Sequence, residues 1–205
     1  MCLQKYIEEC IVPRYKNFDR AHGVDHVRAV INRSLFYAGR YGADARMAYV
    51  IAAYHDIGLC EDRERHHIVS GIMLAGDVSL KRWFDESQIE IMRQAVEDHR
   101  ASAGHEPRTL YGKIVAEADR LIDPTTVLRR AVQYGLQHYP QYGREEQFLR
   151  FKYHLIQKYG AQGYLRLWLP DTENEKNLLL LRRLLDDEKM LRTYFDDLYE
   201  DELDR

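Results

Sequence analysis

Residues 47–58 read MAYVIAAYHDIG. Met47, Val50, Ile51 and Tyr54 recur at the spacing of one helix face, and His55 falls one turn after Ile51 on that face. The helix therefore carries an imidazole, followed at once by the carboxylate of Asp56, toward an apolar interior. Burying such a pair costs free energy unless a hydrogen-bond partner or a metal ion compensates. Asp44 is the expected N-cap of this helix, and Gly58 marks its stop.

Outward from this stretch the pattern stays helical. One stripe runs Val24, Val27, Val30, Ile31 and Leu35, and a second Ile68, Ile72, Ala75 and Val78. A third runs Ile89, Met92, Ala95 and Val96, and a fourth Leu110, Ile114, Val115, Ala118 and Leu121. Gly42, Gly58 and Pro107 interrupt them, and Asp85 or Ser87 caps the helix beginning near Ile89. Pro124 opens a helix to about Gln137, and another covers roughly Glu145 to Tyr159. After LPDTENEK one long helix is expected to about Tyr199, with Leu181, Leu184, Leu185, Leu191, Phe195 and Leu198 inward. Strand-like alternation is absent, so the expected fold is all-α, a single domain over residues 1–205. The acidic end FDDLYEDELDR opposes the helix dipole and reads as a frayed, solvated tail.

Composition narrows the partners. With 45% hydrophobic and 31% charged residues, a normal core and a well-solvated surface are both available. The net charge of -3 provides no global basic field, which argues against a nucleic-acid partner. No stretch is long and apolar enough to cross a membrane, and LLLL at 178–181 runs straight into Arg182 and Arg183. Cys2, Cys10 and Cys60 form no CxxC pair, which points to reduced thiols and a cytoplasmic location; Cys60, close to His55, is a weak candidate ligand.

Seven of the nine histidines lie between His22 and His105. His26 precedes Val30 by one turn, His99 follows Ala95 by four, and Asp119 follows Val115 by four. His67 stands one turn before Gly71, beside the Ile68 stripe; His66, about 100° away around the helix, is expected to face outward. Each alone reads as a satisfied core residue or an ion-pair partner. Taken together, His26, His55, Asp56 and Asp119 are inward polar groups from separate helices, and one divalent cation would answer them all.

In order, HGVDHVRAV (22–30), AAYHDIG (52–58), HHIVSG (66–71), VEDHR (96–100) and GKIVAEADRLID (112–123) resemble the motif set of the HD superfamily of metal-dependent phosphohydrolases. The resemblance covers about Tyr15 to Asp123. It implies a helical bundle as motif core, over about 15–123, with a helical extension over about 124–205. It implies His26, His55, Asp56 and Asp119 as metal ligands. This mixed nitrogen and oxygen set lacks soft sulfur, so Mn, Fe, Mg, Ni, Co or Zn are all candidates. Asp56 would also orient the attacking water. His67 and His99 would bind a second metal or line a phosphate pocket, which makes Asp56, His67 and His99 the catalytic candidates. Arg63, Arg100 and Lys113 are candidates for substrate phosphate, while Arg28 and Arg120 adjoin motif residues and could steady carboxylates. Glu61 or Asp62 is a candidate general acid. The cyclic-dinucleotide hydrolases carry HD-x-G-K and GYP, which are missing, and Leu59 stands where the 5'-deoxynucleotidases have a glutamate. The implied function is hydrolysis of a phosphoester or phosphoanhydride in a nucleotide or other small phosphorylated metabolite. A di-iron oxygenase and a non-catalytic nucleotide-sensing module are the alternatives. The last helix could also pair two chains into a homo-oligomer.

Overall fold

The structure, a computed structural model, describes residues 1–19 and 21–204. Helix α1 (Leu3–Tyr6) continues through a π turn, Ile7–Ile11, and a 3₁₀ turn, Val12–Asn17. There follow α2 (Val24–Tyr41), α3 (Ala45–Tyr54), the 3₁₀ turn Ile57–Cys60, α4 (His66–Gly76), α5 (Glu86–Glu97) and α6 (Leu110–Asp119). The chain ends in α7 (Pro124–His138), α8 (Arg144–Tyr159), α9 (Glu173–Asp186) and α10 (Glu188–Leu203). The fold is all-α, and no strand occurs among the described residues. They form two compact units, one running from Met1 to Arg120 and the other beginning at Leu121.

In the first unit α2 packs on α3 and α6, α3 on α5, and α4 on both α5 and the Ile57–Cys60 turn. Val27, Val30 and Ile31 of α2, Val50 and Ile51 of α3, and Ile114 and Val115 of α6 are all buried. The ends are set locally. Gly42 closes α2 at φ 69°, a left-handed conformation that costs glycine nothing. Asp44 accepts from Arg46 N, Thr109 caps α6 from Gly112 N, and Asp85 with Gln88 forms a capping box at the start of α5. Each such cap contributes roughly 0.5–2 kcal/mol.

Helix α4 departs from the sequence expectation. Ile72 and Val78, read as inward, are 60% and 75% exposed, while Ser70, Gly71 and Leu74 are buried. Close packing is the reason. Gly58 N donates to Ser70 Oγ at 2.9 Å, and a Cβ on Gly58 would lie 2.4 Å from the His66 carbonyl oxygen. On the other side, a Cβ on Gly71 would lie 2.8 Å from Glu97 Cγ. The inward face of α4 is built from small residues because its neighbours touch its backbone, and a hydrophobicity count favours the wrong face.

In the second unit α7 packs on α8 and α10, and Phe148, Phe151 and Phe195 form an aromatic core with centroids 5.2–6.4 Å apart. The single long C-terminal helix expected from the sequence is two. Asp187 leaves the helical conformation and accepts from Met190 N, capping α10. The expected fraying near Tyr199 also gives way, and α10 continues to Leu203. Its acids are answered: Arg129 reaches Asp201 and Glu202, and Arg144 reaches Asp196 and Glu200.

Candidate metal centre

Three helices of the first unit end at one place. His55 is the C-cap of α3, His99 follows the end of α5 by two residues, and Asp119 is the last residue of α6. Helix C-termini carry partial negative charge, so this point favours a cation. Two helix starts bring the remaining imidazoles, His26 from the first turn of α2 and His66 as the first residue of α4.

The four residues expected to share an ion are together. His26 Nε2 lies 3.2 Å from His55 Nε2, 3.2 Å from Asp119 Oδ1 and 3.6 Å from Asp56 Oδ2. His55 Nε2 lies 3.2 Å from Asp56 Oδ2 and 3.8 Å from Asp119 Oδ1. Ligand atoms about 2.0–2.2 Å from one ion can be no more than about 4.4 Å apart, and each of these pairs is within that limit. The other oxygen of Asp56 faces a second group, with His66 Nε2 at 3.3 Å and His99 Nε2 at 3.4 Å from Oδ1. His26, His55 and Asp56 on one side, and Asp56, His66 and His99 on the other, each could hold a metal ion, with Asp56 shared.

Tautomers make the case for a cation sharper. His55 Nδ1 is 2.8 Å from the Ala52 carbonyl, His66 Nδ1 is 2.9 Å from that of Arg63, and His99 Nδ1 is 2.6 Å from that of Val96. A carbonyl only accepts, so in each ring Nδ1 carries the hydrogen. In the neutral imidazole Nε2 is then a lone pair, and three such lone pairs point at the anionic oxygens of Asp56. Acceptor facing acceptor is repulsive unless a proton or a metal ion stands between. The donor set and the orientation therefore fit a divalent ion.

Without one, protons take its place. Burial alone would raise the Asp56 carboxyl, but the charge of His55 and hydrogen bonds from His26, His55 and His99 hold it well below the usual carboxylate range. Burial would likewise raise Asp119, and the His26 hydrogen bond brings it down to about 2. Burial would lower His26, yet Asp119 and Asp56 together push it up to about 9. His99, opposed by the same burial, is raised by Asp56.

Tyr15 positions the corner. Its buried hydroxyl donates to the Ala53 carbonyl at 2.9 Å and accepts from Asp56 N at 3.2 Å, and its ring stacks on His55. Buried Asp98, next to His99, is held by Arg108 through the guanidinium and the backbone N–H at 2.8 Å.

Other expected residues are placed differently. His66, expected outward, faces Asp56, whereas His67 has no contact with Asp56. The Nδ1 of His67 is buried without a hydrogen-bond partner, and burial, followed by the charge of His99, lowers the ring to about 4. The phase of α4 is the cause, since His66, Ser70 and Leu74 form its inward row. Arg63 pairs with Asp19 at 2.9 Å, and Asp19 also binds His22, whose ring meets that of His26. Arg100 donates to the Glu64 carbonyl at 2.6 Å. Lys113 pairs with Glu106 six residues before Asp119, or about 9 Å along α6. Arg28 pairs with Glu8, and Arg120 is buried with Nε and Nη1 unpartnered. Cys2, Cys10 and Cys60 are free and exposed. His66 and Tyr15 join the site without a clear sequence signal; for His66, buried Ser70 follows it by one turn just as buried Gly71 follows His67.

No curated protein matches the chain. The solved structure of a predicted HD superfamily hydrolase from an uncultured Thermotogales bacterium is similar over 76% of this chain and 93% of its own, at 22% identity and a TM-score of 0.47. The family model of the HD domain matches residues 23–122, a span that holds every residue of both His/Asp groups. Residues 23–122, just under half of the chain, are an HD domain.

Proposed function

We propose that this chain is a metal-dependent hydrolase of phosphoesters or phosphoanhydrides, acting on a nucleotide or other small phosphorylated metabolite. The observation that carries the reading is Asp56, whose two oxygens each meet imidazole Nε2 atoms oriented by backbone carbonyls. His26, His55, Asp56 and Asp119, with His66 and His99 across Asp56, would hold divalent ions, whose Lewis acidity would stabilise charge on a phosphoryl oxygen. Asp56 stays ionised and is the acceptor that orients the attacking water. His55, His99 and Tyr15 close the buried side against bulk water. His26, Asp119 and His66, with side chains 20%, 26% and 14% exposed, form the side open to substrate. Arg100, which has no carboxylate partner among the described residues, is the cation we assign first to the substrate's phosphate; Arg63 and Lys113 are weaker candidates because Asp19 and Glu106 already hold them. The shared Asp56 also suits the second reading, a di-iron oxygenase, because that chemistry needs both groups filled.

Metal analysis of protein purified without chelator, alongside phosphate release from a nucleotide panel with added Mn²⁺, tests the reading. The expected result is about one or two divalent ions per chain and release of phosphate or pyrophosphate that Asp56→Asn abolishes. Two irons without phosphate release would favour the oxygenase. Phosphate release undiminished in Asp56→Asn would refute the assignment.

A further inference from the structure

The second unit holds a site of different chemistry. A cavity of about 570 Å³ lies along α7 and α8, within the usual range for small-molecule sites. Helix α7 lines it with Thr126, Arg130 and Tyr134, and α8 with Arg150, His154 and Lys158. Both triplets have the spacing i, i+4, i+8, so each runs along a single helix face.

Arg150, His154 and Lys158 form a row of like charge or potential like charge, an arrangement that destabilises a helix. No carboxylate lines the cavity. This is unusual in its surroundings, because residues 121–205 contain 13 Lys and Arg against 15 Asp and Glu. Four other cations of the unit are paired, Arg129 with Asp201, Arg144 with Asp196, Lys152 with Glu188 and Arg192 with Glu145, while Arg166 and Arg182 donate to backbone carbonyls. Among the described residues, Arg130, Arg150 and Lys158 have no carboxylate within ion-pair distance. Aromatic faces complete the lining. The Arg150 guanidinium lies 5.8 Å and 5.9 Å from the ring centroids of Tyr134 and Tyr139. Tyr134 already stacks on His138 at 4.0 Å between centroids, whereas Tyr153 is 64% exposed. Unanswered cations call for an anion, and an exposed tyrosine ring calls for a flat ring to stack on it.

We infer that this cavity is a nucleotide-binding site, with phosphates on Arg130, His154 and Lys158 and the base against Tyr153. Its residues all belong to the second unit, and the inference does not depend on the hydrolase reading.

Calorimetry with ATP and with inorganic phosphate, on the full chain stripped of metal and on Asp56→Asn, tests it. ATP is expected to bind both proteins equally, and phosphate about tenfold or more weaker. The double substitution Arg130→Gln/Lys158→Gln should weaken ATP roughly tenfold or more, since each removes a charge-assisted contact. Both side chains reach solvent, so the far-UV spectrum and melting temperature should stay unchanged. Tyr153→Ala should weaken ATP and leave phosphate unaffected, and the His154 imidazole resonances should shift on saturation with ATP. ATP affinity unchanged in the double variant would overturn the inference. So would absence of binding up to about 1 mM ATP, or binding lost on metal removal and in Asp56→Asn, which would belong to the metal centre. Phosphate binding as tightly as ATP, or Tyr153→Ala without effect, would overturn the nucleotide as ligand. A chain that binds ATP here yet releases phosphate from no member of the nucleotide panel would count against a nucleotide hydrolase and leave this site standing.

Discussion

A methyl group at position 58 has nowhere to go. Built on Gly58, it would lie 2.4 Å from the His66 carbonyl oxygen, 2.7 Å from Ser70 N and 2.9 Å from Val69 Cβ. Two of these atoms are backbone of α4, so no rotamer change relieves the clash. In Gly58→Ala the helix must retreat by about 0.6–1 Å to restore ordinary contact distances. Overpacking of this kind costs roughly 1–3 kcal/mol. Weakening the buried hydrogen bond from Gly58 N to Ser70 Oγ, 2.9 Å long, adds about 1 kcal/mol. The total, about 2–4 kcal/mol, corresponds to a melting temperature lower by roughly 5–15 °C in a chain of this size. The retreat also moves His66, the first residue of α4, whose Nε2 is 3.3 Å from Asp56 Oδ1. Metal sites tolerate errors of only about 0.2 Å in ligand position, so the group of Asp56, His66 and His99 should lose its ion before the group of His26, His55 and Asp56. Circular-dichroism melting and metal titration followed by elemental analysis read the two effects. Ser70→Ala is the control, because it removes the hydrogen bond without displacing α4 and should lower stability by only about 1–2 kcal/mol with metal content unchanged. A Gly58→Ala protein that melts with wild type and keeps its metal content would refute the packing account.

Three further outcomes follow from the same contacts. Tyr15→Phe removes a hydroxyl that serves both the Ala53 carbonyl and Asp56 N; it should cost about 1–3 kcal/mol in urea denaturation and lower kcat more than it changes KM. In the metal-free protein Asp119 and Asp56 raise His26 to about 9, so metal must displace a proton at neutral pH; a weakly buffered titration should show proton release and affinity rising with pH, and His26→Ala should abolish both metal uptake and that release. Burial would raise Asp77, but the Tyr54 and Tyr6 hydroxyls that donate to it hold its carboxyl below the ordinary value. A depressed folded pKa gives stability present above the unfolded value, near 3.9, and lost as pH falls through the folded value, so Asp77→Asn should flatten the acid side of the stability curve below about pH 4.

The amino-acid sequence alone determined the helical class and the convergence of His26, His55, Asp56 and Asp119. Those features are local: the phase of a histidine relative to its own helix's apolar stripe is written in adjacent residues, and the stripes of α2, α3 and α6 are strongly apolar. The breaks in the pattern were legible only where a cap residue was unambiguous. Asp187 lies in a run of acids and leucines that continues the helical period, so the division of α9 from α10 was hidden. The choice between His66 and His67 was decided by tertiary structure. Two adjacent histidines differ by about 100° of helix rotation, and which faces inward depends on how α4 docks. It docks through Ser70 and Gly71, small residues chosen by the closeness of Gly58 and Glu97, which belong to other segments. Hydrophobic periodicity cannot see a face selected for lack of volume. The partners that orient the imidazoles were equally beyond its reach. Tyr15 meets Asp56 across 41 residues of sequence, and only the folded chain brings a hydroxyl and a backbone N–H that far apart into one hydrogen bond.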